Sequence, residues 1–182
     1  MSRNAADVTL SGRADVYREP DFQAKLCAPA HLDQRIAALA RPLVFTNGVF
    51  DIIHRGHVVY LAQARALGAS LAVALNTDDS VRRLGKGDDR PVNRIEDRAA
   101  VIAALESVSL VTWFDEDTPL QLIRRTRPDV LVKGGDWQRA EIVGACDVES
   151  WGGSVHSIPI VHERSTTSLL ARIRGVRDKP QP

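Results

Sequence analysis

The sequence predicts a doubly wound, Rossmann-like α/β domain: a parallel five-stranded sheet with helices on both faces. Three observations predict it. Five short apolar runs recur along the chain, and segments with helical periodicity separate them. The runs are continuous rather than alternating, which is the mark of strands buried on both faces, as parallel strands are. The 182 residues are 44% hydrophobic, enough to fill one core.

Residues 1–25 show no sustained period and read as a flexible N-terminal arm. The domain is set at 26–176, and 177–182 form a flexible tail. A helix is expected over His31–Leu39, with Leu32, Ile36 and Leu39 on one face. Pro42–Thr46 is the first strand. Gly56–Leu67 is a helix with Val58, Leu61, Ala62 and Ala66 inward and Gly68 as its stop. Ser70–Leu75 is the second strand, and a basic loop follows it. Ile95–Leu105 is a helix with Ile95, Ala99, Ile102 and Leu105 inward. Val108–Trp113 is the third strand. Thr118–Thr126 is a helix, with Asp117 as candidate cap and Pro119 near its start. Asp129–Val132 is the fourth strand, Arg139–Trp151 a helix, Val155–Ile160 the fifth strand and Ser165–Arg174 the last helix. In such sheets ligands bind beyond the carboxyl ends of the strands, where the strand order reverses. The loops after strands one, two and four therefore matter most, together with the start of the last helix.

Composition excludes several classes of partner. Lys and Arg number 24 against 23 Asp and Glu, so the net charge of +1 offers no bulk attraction to nucleic acid or to an anionic membrane. No apolar run approaches the ~20 residues that span a bilayer. Cys27 and Cys146 are too few for a disulfide framework. The polar N-terminus has no signal-peptide core. The expectation is a cytoplasmic protein acting on small molecules.

The strongest chemical signal follows the first strand: Thr46-Asn-Gly-Val-Phe-Asp-Ile-Ile-His54-Arg-Gly-His57. Two His three apart at a helix start can present their rings on one face. Gly56 between them would let a ligand approach the backbone. Unpaired N–H groups and the positive end of the helix dipole complete a site suited to a polyphosphate. Zinc-binding helical His pairs stand instead at i, i+4 around a Glu, so no metal is assigned to side chains. After the second strand comes Arg82-Arg-Leu-Gly-Lys86-Gly-Asp-Asp-Arg90, where flanking glycines make Lys86 mobile enough to deliver charge onto phosphate oxygens. After the fourth strand, Lys133-Gly134-Gly135-Asp136-Trp137 offers a cation, close backbone approach and an acceptor for hydroxyls. Ser165, Thr166 and Thr167 open the last helix with hydroxyls and free N–H groups.

The His-x-Gly-His behind Gly-Val-Phe-Asp resembles the signature of the nucleotidyltransferase superfamily. The class I aminoacyl-tRNA synthetases share that element, but they are much larger and need a Lys-Met-Ser-Lys-Ser loop that this chain lacks. A closer resemblance rests on Asn76-Thr-Asp-Asp-Ser, Arg90-Pro-Val-Asn93, Phe114-Asp-Glu-Asp-Thr-Pro-Leu120, Lys133-Gly-Gly-Asp-Trp137 and Ser165-Thr-Thr167. Together these are similar to the D-glycero-β-D-manno-heptose 1-phosphate adenylyltransferases, from about Leu26 to Arg174.

The resemblance implies transfer of AMP from ATP to heptose 1-phosphate, giving ADP-heptose for the lipopolysaccharide inner core, with Mg²⁺ on the triphosphate. It implies that His54, His57 and Lys86 are catalytic. ATP contacts fall to Asn47, Gly48, Val49, Phe50, Gly56, Lys133, Gly134, Gly135 and the Ser165–Thr167 hydroxyls, besides the two His. The sugar phosphate falls to Asp51, Asn76, Asp78, Arg90, Asp136 and Trp137, with Asp51 either orienting the site or helping to hold the metal. It also implies a homo-oligomer, a dimer or higher, and a separate heptose kinase as supplier. Two departures stand out: Val49 where the family often has Cys, and Glu163-Arg164 where it commonly has Gly-Tyr. The alternatives are a cytidylyltransferase acting on a phospho-alcohol such as glycerol 3-phosphate, and a non-catalytic nucleotide sensor. The first carries Arg-Thr-x-Gly-Ile-Ser-Thr before its last helix, and Ile160–Thr166 lacks both the Arg and the Gly.

Overall fold

A computed structural model describes residues 20–85, 89–160 and 175. Five parallel strands form one sheet in the order β3-β2-β1-β4-β5. They are β1 (Leu43–Gly48), β2 (Ser70–Asn76), β3 (Leu110–Phe114), β4 (Val130–Gly134) and β5 (Ser154–Ile158). Between residues 20 and 160, six α-helices accompany them among the described residues: α1 (Leu32–Ala37), α2 (Arg55–Arg65), α3 (Asp78–Arg83), α4 (Ile95–Ala103), α5 (Leu120–Thr126) and α6 (Ala145–Ser150).

Alternation along β1 builds the two cores. Leu43 and Phe45 point into one, with Ile36 of α1, Ile123 of α5 and Val148 of α6. Val44 points into the other, with Leu61 of α2 and Ile102 of α4. Helices thus cover both faces, which is why β1, β2 and most of β4 are rich in apolar residues on both sides. The register sets Val44 beside Leu71 of β2 and Val130 of β4, so the ends of β1 and β4 lie together.

Five details differ from the sequence expectation. Residues 21–25 form a 3₁₀ turn, Phe22 packs against the second core, Lys25 donates to the Leu105 carbonyl at 2.9 Å, and Leu26 bridges Val111. This segment therefore packs on the domain and shields the β3 edge. On α2 the inward residues are Tyr60, Leu61 and Ala64, while Val58 is 41% exposed. Tyr60 replaces Val58 inside because its hydroxyl finds partners, Thr46 Oγ1 at 2.5 Å and the Val132 carbonyl at 3.3 Å. Asp117 does not cap α5. Pro119 occupies the N-cap position without a side-chain hydrogen bond, and Asp117 accepts from Arg83 Nε at 2.9 Å. The helix expected over 139–151 is broken into a 3₁₀ turn (Arg139–Glu141) and α6, because Gly144 sits at φ 84° with no room for a Cβ against Ile123. Polar α3 is an extra helix, capped by Thr77, whose hydroxyl accepts from the Ser80 N–H at 3.2 Å. The last predicted helix lies outside the described residues.

Candidate active site

The chain passes from β3 across the sheet to β4, so the strand order reverses between β1 and β4. The loops leaving these two strands enclose a cleft of about 270 Å³. Residues 47–51 form one wall, His57 and Tyr60 enter from α2, and Lys133, Gly134 and Trp137 form the opposite wall.

His54 is the N-cap of α2 and His57 lies in its first turn. Their rings stack, with centroids 3.8 Å apart and planes at 22°. Burial lowers the pKa of His54. For His57, burial and then the adjacent His54 push it down to about 4, against an opposing Ile52 backbone contact. Both rings are therefore neutral at pH 7. Each has a buried Nδ1 with no hydrogen-bond partner among the described residues. Buried imidazole nitrogens without partners are costly unless a ligand completes them. The missing Cβ of Gly56 is filled by protein: an added Cβ would stand 2.9 Å from Ile160 Cγ2 and 3.0 Å from the His54 ring. The glycine thus leaves room for the His54 ring and for Ile160.

The wall after β1 is held by three buried charges, Asp51, Arg90 and Arg98. Asp51 is 3% exposed. Its carboxylate accepts from the backbone N–H groups of Val92 and Asn93, each at 2.9 Å. Arg90 Nε lies 2.7 Å from Asp51 Oδ2 as an ion pair, but the N–H is not aligned on that oxygen and has no hydrogen-bonded acceptor among the described residues. Arg98, on α4, is fully buried. It donates to the carbonyls of Asn93 at 3.0 Å, Val49 at 2.8 Å and Asn76 at 2.8 Å, and to Asp78 Oδ1 at 2.7 Å. Between these anchors Phe50 adopts φ 46°, a left-handed conformation that costs a non-glycine residue about 1–2 kcal/mol. Its ring lies against Gly48 and meets His57 edge-on, with centroids 5.2 Å apart.

The wall after β4 is lighter. Trp137 is 46% exposed. Its indole N–H donates to the Gly134 carbonyl at 3.0 Å and its backbone N–H to Ser157 Oγ at 3.1 Å. Lys133 Nζ lies 5.7 Å from the indole centroid.

Of the residues the sequence singled out, Asn47, Gly48, Val49, Phe50, Asp51, His57, Arg90, Lys133, Gly134 and Trp137 line one cleft, and His54 stacks on His57. Gly135 and exposed Asp136 sit on the adjoining turn without lining it. Asn76 and Asp78 lie at the end of β2 with their polar groups engaged. Asn76 Nδ2 donates to Ser80 Oγ at 2.9 Å, and Asp78 pairs with Arg98. Lys86, Ser165, Thr166 and Thr167 lie outside the described residues. Sequence reasoning missed Tyr60, Asn93, Arg98 and Ile160. The signal for Arg98 was present, because positions 95, 98, 99 and 102 share one helical stripe.

A match to the cytidylyltransferase-like family spans residues 45–169. The chain belongs to the cytidylyltransferase-like family. It is 58% identical over 155 residues to the D-beta-D-heptose 1-phosphate adenylyltransferase of Bordetella bronchiseptica, covering 84% of this chain and 96% of that one. It is 49% identical over 160 residues to the bifunctional protein HldE of Magnetococcus marinus, of whose length it spans 32%. Among solved structures, a lipopolysaccharide core biosynthesis protein from Thermoplasma volcanium superposes with a TM-score of 0.55 at 28% identity, over 67% of this chain and 98% of that one. The pantoate-beta-alanine ligase of Francisella tularensis has the same TM-score at 11% identity, over 78% of this chain and 68% of that one, and shares the fold. Every wall of the cleft falls within the cytidylyltransferase-like match. No helix among the described residues is long and apolar enough to cross a membrane.

Proposed function

We propose that this chain transfers AMP from ATP to D-glycero-β-D-manno-heptose 1-phosphate, giving ADP-heptose and pyrophosphate. The observation that carries the reading is the stacked His54–His57 pair at the β1–β4 switch point, with buried, unpartnered ring nitrogens. The 58% identity to a heptose 1-phosphate adenylyltransferase supports the choice of substrates.

The acceptor phosphate is already ionised near neutral pH, so no general base is required. Its oxygen attacks the α-phosphorus of ATP in line. The bond from that phosphorus to the bridging oxygen breaks, and the electron pair leaves on pyrophosphate. The protein's work is positioning and electrostatics. His54 and His57 donate to oxygens of the reacting triphosphate, and Lys133 adds charge across the cleft. Arg90, held by Asp51, takes the acceptor phosphate, and Trp137 packs on the sugar. Asn76 and Asp78 act through Arg98. Lys86 and the Ser165–Thr167 hydroxyls take the β- and γ-phosphates, as the family resemblance implies.

Mg²⁺ bound with the triphosphate would neutralise charge on the leaving pyrophosphate. The Asp51 carboxylate is taken up by Arg90, Val92 and Asn93, so it orients the wall. Among the described residues no group of three or more His, Cys, Asp or Glu forms a cage for the ion. The acceptor requires a kinase reaction that phosphorylates a heptose at its anomeric carbon, and the product feeds lipopolysaccharide core assembly.

Pyrophosphate release measured with ATP or CTP, against heptose 1-phosphate or glycerol 3-phosphate, tests the reading. Turnover is expected with ATP and heptose 1-phosphate. Turnover with CTP and glycerol 3-phosphate instead, or with no pair, would overturn it.

A further inference from the structure

We infer that Arg98 is a positioning residue for the reaction: it holds the Val49–Phe50 turn in its left-handed form and thereby sets the His57 ring in the cleft. Arg98 does not itself line the cleft. It is among the largest fully buried side chains of the described residues, and its guanidinium reaches four acceptors on three separate segments. Nη1 grips the Val49 carbonyl, the peptide group directly before Phe50, at 2.8 Å. On the other side of Phe50 the Asn93 side-chain amide donates to the Asp51 carbonyl at 2.6 Å, and Arg98 Nε in turn holds the Asn93 carbonyl at 3.0 Å.

The strained residue is therefore clamped at both flanks, and one guanidinium organises both clamps. A strained backbone persists only where its surroundings over-determine it. Released, Phe50 would relax, and its ring would leave the edge-on contact with His57. Nη2 meanwhile fixes Asn76 and Asp78 at the start of α3, so the same group ties the β1 wall to the base of the basic loop. A planar fork can span acceptors this far apart; a lysine ammonium cannot.

This inference rests on the adenylyltransferase reading for its consequence in turnover, but its test does not. Arg98→Lys keeps the buried charge opposite Asp78 while removing the fork. With no substrate present, histidine-selective NMR should show the His57 midpoint rising from about 4 toward the ordinary 6.5. The other charged or titratable groups around the cleft among the described residues, His54, Tyr60, Asp51, Arg90 and Lys133, are left unsubstituted. In turnover, kcat should fall at least tenfold while KM for ATP changes less than threefold. A folded variant with His57 titrating as in the parent and kcat within twofold would overturn the inference. Should Arg98→Lys fail to fold, Asp78→Ala carries the test, because it removes one acceptor of the guanidinium at a partly exposed partner. It should move both readouts the same way, and no movement in either would equally overturn the inference. An inactive parent whose His57 midpoint still shifts in the variant would instead count against the adenylyltransferase reading alone.

Discussion

The two walls of the cleft are built on opposite principles. The wall after β1 is a buried polar network in which Asp51, Arg90, Asn93 and Arg98 leave little freedom to the backbone. The wall after β4 is a two-glycine turn with a half-exposed Trp137 tethered by two hydrogen bonds. Groups that stabilise a transition state gain from being fixed before the substrate arrives. Groups that grip a polyhydroxylated acceptor gain from adapting to it. The imidazoles of α2 face the rigid wall, where Phe50 meets His57, and the indole stands on the lighter one; under the proposed reading, chemistry and specificity would be divided between them.

Asp51→Ala should break the rigid wall with the largest effect. It strands the Arg90 guanidinium, 9% exposed, and two backbone donors. The cost should be about 3–5 kcal/mol, the range for removing one partner of a buried ion pair. Urea denaturation measures it, and a cost below about 1 kcal/mol would mean that the wall is no more fixed than its counterpart.

Acidification should strain the same wall. His57 in the folded chain titrates at about 4, below the ordinary 6.5, so between these values the unfolded chain binds the extra proton. The stability involved is present above pH 6.5 and is lost as pH falls through 4, at up to about 1.4 kcal/mol per pH unit. A nucleotide triphosphate on the imidazoles would favour their charged form, so binding should draw in protons. Calorimetry in buffers of different ionisation enthalpy would detect this, and binding with no proton uptake at about pH 6, near the ordinary histidine midpoint, would place the phosphates elsewhere.

Trp137→Ala probes the adaptable wall and should have the smallest effect. Stability should change by no more than about 1 kcal/mol at so exposed a site. KM for the acceptor should rise several-fold with kcat nearly unchanged. A collapse of kcat would erase the distinction between the walls.

Much of this is legible in the sequence where burial and chemistry agree. Apolar runs such as Ser70–Leu75 can only be inner strands, and the spacing of His54 and His57 places both rings at a helix start. The sequence misleads where a polar group is buried with its partners. Tyr60 takes the inward place that hydrophobicity alone gives to Val58, and Arg98 lies on the inward stripe with Ala99 and Ile102 although its charge argues for solvent. Gly144 breaks a helix because of its neighbour Ile123, an approach made only in three dimensions. Likewise the backbone donors that take up the Asp51 carboxylate belong to Val92 and Asn93, more than 40 residues away.

Deletion of both imidazoles tests the central claim most directly. Pyrophosphate formation from ATP and heptose 1-phosphate would be compared in the parent chain and in the His54→Ala/His57→Ala double variant, with thermal melts run alongside. Removing one hydrogen-bond donor to a transition state costs on the order of 3 kcal/mol, or about 10²-fold. The double variant should therefore fall by at least that factor in kcat while melting as a folded protein. Undiminished pyrophosphate release from the folded double variant would contradict the account.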